Sequence, residues 1–246
     1  LGATAPSPAE RDWQRRAHGM RSIAPQATNL PFPRIQPYKV TGPQVINHGR
    51  FADGQSPAHR YVVNVGGRNI SVLAPKTLNH RNGVFHNVQQ VAKALAILPA
   101  SNRALIREVR INPERSANDG YFAREYNNPD HRSYMTAGAT GTVDIYPTET
   151  PAGQVYLNRT LIHESGHTLS FRRWGHDLNS RPWRAWRAAG QADGVVPSDY
   201  ARSSPAEDLS DTMEIYALVR NRPEEARFRE MMPGRFALLD RLVGHD

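Results

Sequence analysis

Residues 163–167 read His-Glu-Ser-Gly-His, an HExxH, the motif that carries chemistry in this chain. Two histidines spaced like this share a face in an α-helix, where they stand about 40° apart around the axis. Neutral imidazoles so placed can grip one Zn²⁺ at roughly 2.0–2.1 Å. Glu164 falls beside the ion rather than on it, the place of a general base for water activated by the metal. With 10 His among 246 residues, the pattern arises by chance in roughly 2% of shuffled sequences. Leu157, Leu161, Ile162 and Leu169 supply an apolar helix face, and Gly166 permits close packing.

Two histidines need a third protein ligand, with water in the fourth position. The metzincin pattern would place a histidine at position 173, which is Arg173. His176 and Asp177 follow Trp174-Gly175, where the helix is expected to end and turn. A better candidate is Glu207, which opens a predicted helix, with Asp211 one turn later on the same face. Glu207 would bind the ion, and Asp211 would accept the free N–H of a ligating histidine and fix its tautomer. Ser204-Pro205-Ala206-Glu207 also reads as a capping box, a competing use for the same carboxylate. Asp208, Asp211 and Glu214 stand as alternative third ligands.

The rest of the chain frames this helix. Residues 1–45 carry seven prolines and weak periodicity, and they read as a Pro-rich linker or extended arm ahead of a domain at 46–246. Tyr61–Val65 and Asn69–Leu73, joined by Gly66-Gly67, predict a hairpin. Val84–Leu98 predicts a helix that stops at Pro99, and Leu105–Ile111 predicts a strand. Ser133–Ala137 and Thr142–Tyr146 are further strand candidates, the latter as a sheet edge able to pair with a peptide substrate. Helices are expected at Leu157–Arg172, at Arg181–Ala189 closed by Gly190, from Ser204-Pro205 to Arg220, at Pro223–Met231 and at Arg235–Val243. A β-rich N-terminal half and a helical C-terminal half indicate an α+β fold.

Composition limits the chemistry further. The chain has no cysteine, which removes disulfides, thiol nucleophiles and thiolate metal sites. No apolar run approaches the roughly 20 residues of a membrane span, and the run Ala94–Leu98 ends at a proline. The first residues show neither a basic start nor an apolar segment of a signal peptide, and the chain begins without Met, as a processed protein or excised domain would. The formal charge is +8, and Lys39, Lys76 and Lys93 are the only lysines. Arg172-Arg173-Trp174 and the stretch from Arg181 through Trp183 and Trp186 to Arg187 interleave arginine with tryptophan. Such a stretch can bind phosphates, bases or an anionic envelope, or bury its indoles in a core. A basic binding module with a non-catalytic HExxH is therefore the alternative function. Nucleic acid is not the expected partner.

The HExxH, followed by Tyr200 and then by Glu207 and Asp211, resembles the gluzincins related to anthrax lethal factor and the Pro-Pro endopeptidases. That resemblance covers roughly residues 157–220. It implies a zincin-like metallopeptidase domain with one Zn²⁺ per chain on His163, His167 and Glu207. Glu164 would be the catalytic base, and Tyr200 would stabilise the tetrahedral intermediate. The Pro-rich lead-in, the arginine content and the His-Glu-Ser-Gly-His core also make the chain similar to metallopeptidase effector domains at the C-termini of type VI secretion VgrG spike proteins. This implies a secreted antibacterial toxin delivered into the periplasm of a target cell. It also implies a peptide or protein substrate, a cognate immunity protein and an upstream spike domain.

Overall fold

A computed structural model describes residues 5–125 and 127–244. In chain order the elements begin with α1 (Pro8–Ala17), β1 (Arg21–Ser22), α2 (Ala24–Ala27), β2 (Tyr38–Phe51), β3 (Gly54–Val65), β4 (Arg68–Pro75) and α3 (Val88–Ile97). They continue with α4 (Ala100–Arg103), β5 (Glu108–Ile111), α5 (Asp119–Glu125), β6 (Met135–Ala137) and β7 (Thr142–Ile145). The helical part comprises α6 (Gln154–Trp174), α7 (Arg181–Asp193), a short β8 (Val195–Val196), α8 (Pro205–Val219), α9 (Glu225–Met231) and α10 (Pro233–Val243). The chain is thus mixed α+β, and its contacts divide it into two compact units.

The first unit, Arg34–Leu98 with Ile106–Leu161, is built on a six-stranded mixed sheet of order β2-β3-β4-β5-β7-β6. β2, β3 and β4 form an antiparallel meander, β4, β5 and β7 run parallel, and β6 closes the far side antiparallel to β7. The Gly66-Gly67 turn sits between β3 and β4 with φ of 58° and 79°, which suits the twist of a two-residue hairpin. Arg110 and Asp144 face each other across β5 and β7 in a bidentate pair, with both N···O distances 2.7 Å. The capping box Asn87/Gln90 starts α3 later than the apolar spacing from Val84 implied.

One expectation for this unit is corrected, and one strand was not foreseen. Thr142–Tyr146 is not an edge: β7 is paired on both sides, and the edge strands are β2 and β6. Its alternating burial comes from packing on two faces of a central strand, a pattern that an edge strand writes equally well. The long β2 left no periodic trace because it is exposed along most of its length and buries only Gly49 and Phe51 near its end.

The second unit comprises Ala5–Pro33, Pro99–Leu105 and the chain from Ile162 onward. Inside the stretch read as a Pro-rich arm, Ser7 caps α1, and Trp13 and Ala17 are buried with Val196 and Ala201. Gly190, expected to close α7, lies inside that helix instead. A Cβ there would sit 2.7 Å from Trp13 Cη2, so the glycine admits the indole ring. The helix ends at Gly194, whose φ of 72° gives the left-handed cap. Among the described residues no helix is long and apolar enough to cross a membrane.

Candidate metal centre

The centre lies wholly within the second unit, on α6 and α8 and the turn that precedes α8. Gly166 sets how closely the two helices meet. A Cβ at that position would lie 3.0 Å from Ser210 Cα and 3.2 Å from Met213 Cβ, so α6 presses directly on α8. Ile162 and Leu169 on α6 and Leu209 and Met213 on α8 are buried. His163, Glu164 and His167 are all buried, at 8%, 6% and 7% exposure, which no surface helix with incidental histidines would show.

The donor atoms converge. His163 Nε2 lies 3.0 Å from Glu207 Oε2, and His167 Nε2 lies 3.1 Å from the same carboxylate. His163, Glu164 and His167 each offer a ligand atom, all within 4.8 Å of one another. His163 Nδ1 is 2.6 Å from Asp211 Oδ1. A carboxylate accepts only, so Nδ1 carries the proton and Nε2 is left facing Glu207.

That arrangement tests whether a cation fits. With Nδ1–H committed to Asp211, neutral His163 turns a lone pair toward the lone pairs of Glu207. Positive charge must stand with them, either as a second proton on the ring or as a metal ion bound by both Nε2 atoms and the carboxylate. The charges say the same. Burial disfavours the imidazolium of His163, yet hydrogen bonds to Asp211 and Glu207 outweigh it and raise the pKa well above the usual histidine value. Burial likewise works against a charged His167, and the charge and hydrogen bond of Glu207 raise it too. Burial would raise Glu207, but the His167 charge and the bonds from both imidazoles hold it well below the usual carboxylate range. Two N donors and one O donor, buried and drawn to a cation, suit Zn²⁺.

The structure also separates the competing third ligands. Asp208 is turned away into the core, where Arg235 Nε and Nη2 reach its two oxygens at 2.8 and 2.9 Å and Trp186 Nε1 donates at 2.9 Å. Glu214 offers an oxygen within 4.8 Å of donor atoms on His163 and Asp211, in a group that does not include His167. His176 stacks on Phe171 with centroids 4.4 Å apart, and Asp177 accepts from the Asn179 amide. Neither belongs to the cluster.

Glu207 serves its helix only in part. Ser204 Oγ accepts its amide at 3.1 Å, as an N-cap should, while its carboxylate goes to the histidines. The same tetrapeptide, Ser-Pro-Ala-Glu, occurs at residues 7–10 and starts α1. There Ser7 Oγ accepts the Glu10 amide at 3.2 Å, and the Glu10 carboxylate remains in its own turn, 3.3 Å from that hydroxyl.

Tyr200 opens a 3-10 turn over Tyr200–Ser203, and its ring centroid is 6.2 Å from that of His163. It is 53% exposed. Ser198 was missed by sequence reasoning. Its Oγ donates to Asp211 Oδ2 and accepts the Ala201 amide at 3.0 Å. The only signal was a serine placed to receive the amide of an incipient turn, which is common in loops.

The Arg/Trp stretch resolves into core and surface. Trp183 and Trp186 are fully buried and donate to Gly175 O and Asp208 Oδ1, while Arg181 and Arg184 stay outside. No family model matches the sequence, and no curated protein matches it.

Proposed function

We propose that this chain is a zinc-dependent endopeptidase of the zincin type. The observation that carries the reading is the convergence of His163 Nε2 and His167 Nε2 on one Glu207 carboxylate, with the Glu164 carboxylate in the same buried cluster.

His163, His167 and Glu207 would hold the ion. When bound, zinc supplies Lewis acidity, which polarises a peptide carbonyl and lowers the pKa of water from about 15.7 toward about 7. Asp211 keeps the His163 proton on Nδ1 and so leaves Nε2 free to ligate. Glu164 takes the proton of the attacking water on its carboxylate and returns it to the leaving amine. Tyr200 donates its phenolic O–H to the developing oxyanion, a contact worth about 2–4 kcal/mol when well placed. The buried indoles of Trp183 and Trp186 offer no stacking face to a base, which favours this reading over a nucleic-acid module.

Metal analysis after dialysis, beside turnover of a mixed peptide pool, tests the proposal. Wild type and Glu164→Gln should each hold one zinc. Glu164→Gln should lose about 10²–10⁴-fold in turnover. A chelator should abolish activity and added zinc should restore it. Full activity in Glu164→Gln, or no zinc in wild type after add-back, overturns the proposal.

The wider reading, a toxin domain delivered to the periplasm of a rival cell, is supported by the resemblance of the His-Glu-Ser-Gly-His core and the composition. Targeting the chain to the periplasm of a susceptible bacterium should arrest growth. Arrest that persists with Glu164→Gln would overturn it.

A further inference from the structure

Ser198 belongs to none of the motifs above, yet its hydroxyl joins two parts that the proposed reaction needs. Its proton goes to Asp211 Oδ2, the oxygen left when Oδ1 accepts from His163 Nδ1 at 2.6 Å. One of its lone pairs takes the Ala201 N–H at 3.0 Å, inside the turn that carries Tyr200. A hydroxyl has one proton and two acceptor sites, so both bonds coexist in this polarity alone. The result is an unbroken chain of hydrogen bonds: His163, Asp211, Ser198, Ala201.

The far side of the same turn is held separately. Trp13 Nε1 donates to Ala201 O and Gln14 Nε2 to Ser203 O, each at 2.9 Å. The Arg202 guanidinium reaches the carbonyls of Ala17 and Met20. These contacts anchor the turn to α1 and touch no metal ligand. On the ligand side, Ser198 bonds Asp211, and the Tyr200 ring centroid lies 6.2 Å from that of His163.

We propose that Ser198 is a positioning residue that ties the zinc ligand His163 to the turn bearing Tyr200, so that metal affinity and placement of the oxyanion donor depend on one hydroxyl. The proposal rests on the zinc-peptidase reading. A partner of a ligating histidine typically changes metal affinity by about 10–100-fold when it is removed. Here Asp211 stays, but it loses the hydroxyl that satisfies its second oxygen and fixes its rotation.

The test measures zinc affinity by chelator competition and steady-state kinetics at saturating zinc. It uses wild type, Ser198→Ala, Ser198→Thr and Tyr200→Phe. Ser198→Ala should bind zinc about 10-fold more weakly or worse, and its kcat should stay low even when fully loaded, with KM little changed. Ser198→Thr, which keeps the hydroxyl, should recover both. Tyr200→Phe should lower kcat with zinc affinity intact, which separates the two ends of the chain. Wild type that binds no zinc removes the peptidase reading and this proposal together. Wild type that binds zinc, beside a Ser198→Ala variant that is equally tight and active, overturns the link alone. So does a loss in Ser198→Ala that Ser198→Thr fails to restore. A Tyr200→Phe variant with unchanged kcat overturns the link together with the oxyanion role of Tyr200, and leaves the zinc site standing.

Discussion

Replacing Arg235 with methionine should be among the most damaging single changes to the second unit. The side chain is fully buried, and its guanidinium binds Asp208 through Nε and Nη2 at 2.8 and 2.9 Å and Asp193 through Nη1 at 3.2 Å. The two carboxylates would fare differently without it. Asp193 keeps the amides of Gly234 and Arg235, at 2.8 and 3.1 Å, and so remains a cap for α10. Among the described residues, the Asp208 carboxylate keeps only the Trp186 indole, at 2.9 Å, with no exposed surface. Burial already raises the Asp208 pKa against the charge and hydrogen bonds of Arg235. The loss is therefore that of one buried carboxylate stripped of its ion-pair partner, about 3–5 kcal/mol. For a chain of this size that corresponds to a fall in Tm of roughly 6–20 °C.

The pH dependence has a definite sign. A carboxyl whose folded pKa lies above its unfolded value holds more protons in the folded state between the two. The deficit should shrink as pH falls through the folded pKa. Denaturant titration at several pH values reads both effects. The double variant Arg235→Met, Asp208→Asn removes the stranded charge and should recover more than half of the loss. A single-variant cost below about 1 kcal/mol, or a double variant no more stable than the single, refutes the reasoning.

Gly166→Ala gains helix propensity but drives a Cβ to 3.0 Å from Ser210 Cα and 3.1 Å from Ser210 Oγ. Thermal melting should show a net loss of about 1–3 kcal/mol, and an unchanged or higher Tm would contradict the close α6–α8 contact. Asp240 accepts from Arg229 twice at 2.8 Å and from Tyr216 at 2.7 Å, and the Arg229 bond holds its pKa below the usual carboxylate value. Its contribution is therefore present above the unfolded pKa and lost as pH falls through the folded one. Asp240→Asn should cost about 1 kcal/mol at neutral pH, and the gap to wild type in urea titrations should close in acid. A gap that widens in acid would reverse the assignment.

The parts legible in the sequence were those written by short-range chemistry. His163 and His167 share a face because an α-helix puts them there, and the same period carried Leu157, Leu161 and Leu169 inward. Gly66-Gly67 announced its hairpin through positive φ. Glu207 and Asp211 could be singled out by spacing and Tyr200 by the family resemblance, although only the folded chain shows Glu207 between the imidazoles and Asp211 behind one of them. What stayed hidden depended on distant partners. Gly190 reads as a helix stop, and only Trp13 explains why it lies mid-helix. Asp208 and Glu207 are adjacent acids, and their opposite fates are decided by Arg235 on one side and the histidines on the other. Ser198 carries no pattern at all, since its role exists only where the chain folds back on Asp211.

The paired Ser-Pro-Ala-Glu segments show how a ligand can be recruited without altering a backbone. At residue 7 the four side chains begin a helix and nothing more; at residue 204 they begin one and also send a carboxylate to two imidazoles. The hydroxyl and the proline suffice to start either helix, so the acid is a removable part of the cap. It projects from a first turn already rigid, and turning it outward sacrifices only a local contact in a solvated cap. A first-turn glutamate is thus a standing reserve of metal ligands in any helical protein. Building a three-residue centre opposite an HExxH helix needs only a neighbouring helix start brought within reach.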